Sequence, residues 1–222
     1  MMHHIQLKVL HKLTLNEQAR YSQLKPDGVE SNLFIYHLKR TIADKLVVKN
    51  DDGTYSLSQK GVAYSDKVSL SSFKLRSQPK IVNLLACTNW SGQWLLYKRK
   101  HQPFIGRVGF PYGKIHLGET IKQSSERELQ EKTDLKTSLV HRGDVYVTVY
   151  EGDEIITHTL FHVHQGQNPT GVLKKATSIG YCYWTTVDLK KPDLYFPGFI
   201  DIYNLLKKPN KSRFFSEFTY KF

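Results

Sequence analysis

The 222-residue sequence predicts an α+β protein of two domains. Three observations carry this. Apolar residues recur at helical spacing through most of residues 1–67, whereas from residue 80 onward they run together or alternate as in strands. Between these stretches, residues 68–79 are serine-rich and end at Pro79, the composition of a linker. A 40% hydrophobic content with 12% aromatics is enough to bury a core, so disorder is excluded.

In the first domain, Ile5, Val9, Leu10 and Leu13 predict a helix over 5–13. A second helix is expected over 16–24, with Asn16 as its N-cap and Pro26 to Gly28 as its stop. In a third, over 31–45, Ile35, Leu38, Ile42 and Leu46 form the inward stripe and leave Asn32, Tyr36, Lys39 and Arg40 outside. Strands at 46–49 and 54–57 follow, joined by a turn ending at Gly53, and Ser58 to Gly61 opens a short helix. This order resembles a winged helix-turn-helix domain at residues 1–67. The resemblance implies a third helix in the major groove of duplex DNA, with Asn32, Tyr36, Lys39 and Arg40 facing it and Lys49 on the wing. Winged helices also serve as protein-interaction modules, which is the competing reading. Charge does not single out this half: of the net +12, residues 1–75 carry +4 and the remainder +8.

In the second domain, 81–88 and 93–99 read as a buried hairpin turned at 89–92. Strands are expected at 144–150 and 155–164 around the acidic turn 151–154, and at 181–186. A last helix runs from Phe196-Pro197-Gly198 to Leu206. Cys87 and Cys182 lack C-x-x-C spacing and read as reduced core residues. His158, His162 and His164 share a strand face, a spacing more typical of half-buried histidines than of a metal cluster. The basic and aromatic tail at 209–222 either pairs as a strand across a homodimer or packs back.

The chemistry concentrates at 113–135. A turn with Gly113 and Gly118 leads into a helix that starts at Thr120 and ends at Thr133-Asp134. Ile121, Ser125 and Leu129 form its expected inward seam, while Glu128, Glu131 and Lys132 project from one side beside Arg127. Two carboxylates beside a glycine turn are half of a hard-cation site. The alternative is a solvated helix with a Glu128–Lys132 pair.

The segment resembles the Nudix box, G-x5-E-x7-R-E-U-x-E-E-x-G-U with U a bulky apolar residue. Gly113, Glu119, Arg127, Glu128, Leu129, Glu131 and Leu135 match it, while Lys132 replaces the second glutamate of the E-E pair and Asp134 the glycine. The resemblance covers residues 80–208 and implies an α/β/α sandwich with a mixed sheet. It implies Mg²⁺ or Mn²⁺ on Glu128, Glu131 and the Gly113 carbonyl, and a helix oriented by Arg127 and Glu119. Arg99, Arg107, Lys114 and Lys132 would meet the substrate, and the acidic turn at Glu151 to Glu154 would supply the missing carboxylate or a base. The expected activity is hydrolysis of the pyrophosphate in a nucleoside diphosphate derivative. The alternative is a transcriptional regulator whose impaired Nudix domain senses a phosphorylated ligand, because an ammonium at position 132 opposes a divalent ion and attracts phosphate.

The positive charge favours polyanionic partners. No apolar run approaches a membrane span and the first residues lack the apolar core of a signal peptide, so the expected compartment is the cytoplasm, with no membrane partner.

Overall fold

The computed structural model describes residues 2–69, 71–72, 74–174, 176–177, 180–208 and 212–221. It divides into two compact units, 1–78 and 79–222.

The first unit comprises α1 (His4–Leu15), α2 (Tyr21–Leu24), α3 (Ser31–Ala43), β1 (Val47–Lys49), β2 (Tyr55–Leu57) and α4 (Gln59–Ser65). Ile5, Val9, Leu10, Leu24, Phe34 and Leu38 fill its core. Two expectations are corrected here. Asn16 closes α1, its Nδ2 donating to the Lys12 carbonyl at 2.8 Å, and does not cap α2. The cause is tertiary: Ala19 pairs with Tyr55 through N–H···O bonds of 3.0 and 2.9 Å, which holds this segment extended until α2 begins after Arg20. In α3 the buried stripe is Phe34, His37, Leu38 and Thr41, and Ile35 is 37% exposed because the larger Phe34 takes the core position beside it. Within the 68–79 stretch several described residues are held by the chain. Val68 is buried in the first core, and the Ser69 and Arg76 amides donate to the Lys74 and Lys67 carbonyls at 2.8 and 3.0 Å.

The second unit comprises β3 (Lys80–Thr88), β4 (Trp94–Arg99), β5 (Val108–Gly109), β6 (Tyr112–Lys114), α5 (Ile121–Thr133), β7 (Val140–Glu151), β8 (Glu154–Gln167), β9 (Gly180–Thr185), α6 (Phe199–Lys207) and β10 (Phe214–Lys221). One mixed sheet runs β10-β7-β8-β3-β4-β5, with β6 on β3 and β9 on β4. β3/β8 and β7/β10 are its parallel pairs.

Alternation along the strands separates two apolar layers. Leu84, Ala86, Val145, Val147, Val149 and Val163 pack with Phe199, Ile202 and Leu206 of α6. Leu85, Cys87, Leu95, Tyr97 and Cys182 pack with Leu129 of α5 and Leu135 just beyond it. Both cysteines are free and buried, and burial pushes their thiols up, to about 12 for Cys87 and about 11 for Cys182.

Within the tail, Phe214–Lys221 packs back as β10 of this sheet, parallel to β7 from Phe214↔Gly143 to Lys221↔Tyr150. Phe214, Phe218 and Tyr220 turn toward the α6 layer. Gly143 makes the pairing possible, because a Cβ there would overlap the Phe214 carbonyl. Gly143→Ala is therefore expected to destabilise the protein by about 1–3 kcal/mol, the usual cost of overpacking. Urea unfolding checks this, and a transition within experimental error of wild type would contradict the close approach.

Candidate functional site

The turn between β6 and α5 is fixed from both ends. Thr120 Oγ1 accepts from the Gln123 amide at 3.2 Å while Gln123 Oε1 accepts from the Thr120 amide at 3.0 Å, a reciprocal cap that starts α5 at Ile121. Asp134, in the left-handed region at φ 57°, ends it. Ser124, Ser125, Glu128, Leu129 and Thr133 form its buried stripe, and the two serines let the helix lie close to the sheet, where Asn83 Nδ2 donates to the Ile121 carbonyl at 3.4 Å. Ile121, expected inward, is 41% exposed because the stripe runs one side further round.

Arg127 ties the turn to the helix. Its Nε and one terminal nitrogen donate to the two oxygens of Glu119 at 2.6 and 2.8 Å, and the same terminal nitrogen donates to the Lys114 carbonyl at 3.0 Å. The other terminal nitrogen reaches Glu128 Oε1 at 2.9 Å and Glu131 Oε2 at 3.2 Å. Glu119 also accepts from the His116 amide at 2.9 Å. The Arg127 hydrogen bond, helped by that amide, holds the Glu119 carboxyl down to about 2, and Glu119 in turn raises the Arg127 guanidinium.

Glu128 does not lie on a solvated face. It is 5% exposed and its carboxylate occupies the space beside Gly113, where any Cβ would overlap it. Burying a carboxylate requires compensating charge, and two cations supply it: Arg127 on Oε1 and Lys132 Nζ on Oε2 at 3.1 Å. The Lys132 side chain is only 20% exposed, whereas that of Glu131 is 58% exposed.

On the opposite face of the sheet lies an open, largely apolar cleft. Phe104, Tyr112 and Phe196 form its aromatic walls, with Val82, Phe161 and Val147 among the apolar residues below. Arg99 lines it, buried among the Tyr112 hydroxyl and the His101 and Gln102 carbonyls, the latter two accepting at 2.9 and 3.0 Å. Tyr112 and Gly113 are consecutive in β6, so the cleft and the Glu128 cluster flank one strand.

The family described as NUDIX domain matches residues 78–199, more than half of the chain. The chain belongs to the NUDIX family. Its fold is similar to that of a mutator MutT protein from Bacillus halodurans, at 18% identity and TM-score 0.51, covering 64% of this chain and 90% of that one. It is also similar to the NUDIX domain of Shewanella oneidensis NrtR, solved in complex with ADP ribose, at 17% identity and TM-score 0.50, covering 66% and 96%. A third likeness is to a MutT NUDIX hydrolase from Burkholderia pseudomallei, at 20% identity and TM-score 0.50, covering 59% and 100%. At these identities the shared property is the fold.

The metal expected on the NUDIX helix fits its donors poorly. Both Glu128 oxygens already meet cations and Glu131 meets Arg127, so the oxygen ligands that a hard divalent ion needs are not assembled, and Lys132 opposes the ion by like charge. The acidic turn does not supply the missing carboxylate. Gly113 pairs with Asn83 and Asn83 with His162, whereas β8 begins at Glu154, about 26 Å away along the strand at ~3.3 Å per residue.

Of the expected substrate residues, Lys132 joins the Glu128 cluster, Arg99 lines the cleft, Arg107 is half-buried on the preceding loop, and Lys114 exposes its side chain while its carbonyl holds Arg127. The aromatic walls were missed because residues far apart in sequence build them. Of the histidines, His158 packs on Tyr146 with ring centroids 4.5 Å apart. His164 is buried on Asn83, with burial and then the His141 and His162 charges pushing it down to about 4. His162 meets the Asp144 carboxylate.

The Glu119–Arg127 pairing sets a pH dependence. The folded value of Glu119 lies below the usual 4.5, so its contribution to stability is fully present above that pH and is lost as the pH falls through about 2. The difference in unfolding free energy between wild type and Glu119→Gln should be constant near neutrality and shrink in acid below pH 4.5. A difference that stays flat into acid would contradict the pairing.

Proposed function

We propose that the NUDIX domain binds the pyrophosphate of a nucleoside diphosphate derivative without cleaving it, and that the first unit is a DNA-binding winged helix responding to that ligand. The observation that carries the reading is Lys132 Nζ at 3.1 Å from Glu128 Oε2. An ammonium has three donors, and with one spent on Glu128 the others are available to phosphate oxygens. Arg127 shares the neutralisation of Glu128, and the remaining donors of Lys132 with the exposed Lys114 attract the anion. The aromatic cleft, across β6 from the Glu128 cluster, suits a planar base.

The first unit supports the regulator half of the reading through its order of helices, the Ala19–Tyr55 bridge and the β1–β2 hairpin. Asn32, Tyr36, Lys39 and Arg40 are exposed along α3, and Lys49 is exposed on β1. Arg40 lies 3.5 Å from Asp44, a solvent-screened pair that a phosphate can displace.

Hydrolysis with Mg²⁺ is the second reading. It is favoured by family membership and by the intact frame of Glu119, Arg127 and the Lys114 carbonyl.

Calorimetry with ADP-ribose as the probe separates the two. Binding is expected in the presence of a chelator, with the ligand recovered whole after incubation with Mg²⁺. Lys132→Ala should weaken binding at least about tenfold, since a charged hydrogen bond contributes about 1.5–3 kcal/mol. Mg²⁺-dependent release of product, abolished by Glu128→Gln, would instead establish the hydrolase. For the first unit, Lys39→Ala and Arg40→Ala should each lower the slope of log K against log salt for duplex DNA by about 0.9. Absence of salt-sensitive binding to any duplex in a random pool would reassign the unit to protein interaction.

A further inference from the structure

We propose that His141, Asp144 and His162 form a binding site for a borderline divalent transition metal such as Zn²⁺, separate from the carboxylates of the NUDIX helix. His162 Nδ1 lies 2.6 Å and His141 Nε2 2.9 Å from the same Asp144 oxygen, and the three donor atoms all lie within 4.8 Å of one another. Zinc bonds of about 2.0–2.2 Å to nitrogen and oxygen place ligand atoms roughly 3–3.5 Å apart, so small side-chain rotations close this set around an ion. The side chains are half-buried, at 27%, 35% and 15% exposure for His141, Asp144 and His162, which leaves room for such rotation and for water as a fourth ligand.

The backbone is shaped to gather these groups. Asp144 opposes His162 and His141 opposes His164, yet His141 and Asp144 are three residues apart and on a regular strand would point to opposite faces. The register shift between His141 and Gly143 adds a residue on β7 and brings both side chains to one face. Bulges are enriched beside functional sites because they re-aim a side chain in this way. His164, held by Asn83 Oδ1 at 3.1 Å, flanks the set, and its ring centroid is 5.4 Å from that of His141. Two imidazoles and one carboxylate suit zinc, cobalt or nickel better than magnesium, which separates this site chemically from a hard-cation site.

The test is a Zn²⁺ titration of the full chain in excess Mg²⁺, with Co²⁺ absorption as a second probe. The result expected is one ion that Mg²⁺ does not displace, with affinity lowered at least about tenfold in His141→Gln and in Asp144→Asn, as for loss of a ligand or its orienting partner. His158→Gln, on the same strand face, and His3→Gln with His4→Gln, at the start of the chain, should bind as wild type does. Ring-nitrogen NMR of the wild type needs no variant to fold, and zinc should shift His141 and His162 while leaving His158 unmoved. Equal affinity in wild type, His141→Gln and Asp144→Asn would overturn the site. So would shifts confined to His3 and His4, or binding no tighter than millimolar, leaving a hydrogen-bonded His–Asp–His cluster only.

Discussion

The second unit is arranged around one buried carboxylate. Glu128 sits where Gly113 has no side chain, and its charge is matched by Arg127 on one oxygen and Lys132 on the other. Each feature of the local sequence serves that placement. Ser124 and Ser125 let the helix approach the sheet, and Thr120 with Gln123 sets where the helix begins. Arg127, anchored by Glu119 and the Lys114 carbonyl, holds the turn against the helix. Removing one partner of such a cluster leaves an uncompensated charge indoors, which costs far more than the loss of a surface pair.

This constraint also shapes the chemistry. In the family pattern position 132 is a second carboxylate, and two carboxylates one helical turn apart would share a cation between them. Here the cation is part of the chain. The Glu128 charge is therefore matched without an ion. The aromatic cleft adds apolar surface on the side of β6 opposite the Glu128 cluster.

Much of this was legible in the sequence because spacing fixes geometry on a helix. Gly113, Glu119, Arg127 and Glu128 are found together where the motif implies, and α1, the β1–β2 hairpin and α4 follow from local periodicity and turn residues. The inward seating of Glu128 was not legible, because a pattern of charges does not say which carboxylate is neutralised by its own neighbours. Asn16 and Ile35 were misplaced because Tyr55 and Phe34, through pairing and volume, overrode local preference. The pairing of β10 with β7 and the meeting of His141 with His162 depend on register between distant segments, which one sequence does not encode in any local pattern.

The central claim is that Lys132 holds the position on Glu128 that a divalent ion would need. Crystals grown with excess Mn²⁺ and measured for anomalous scattering test it most directly. The account predicts no manganese peak bonded to Glu128, with Lys132 Nζ remaining within hydrogen-bond distance of Oε2. A peak coordinated by both Glu128 and Glu131, with the Lys132 side chain turned away, would contradict it.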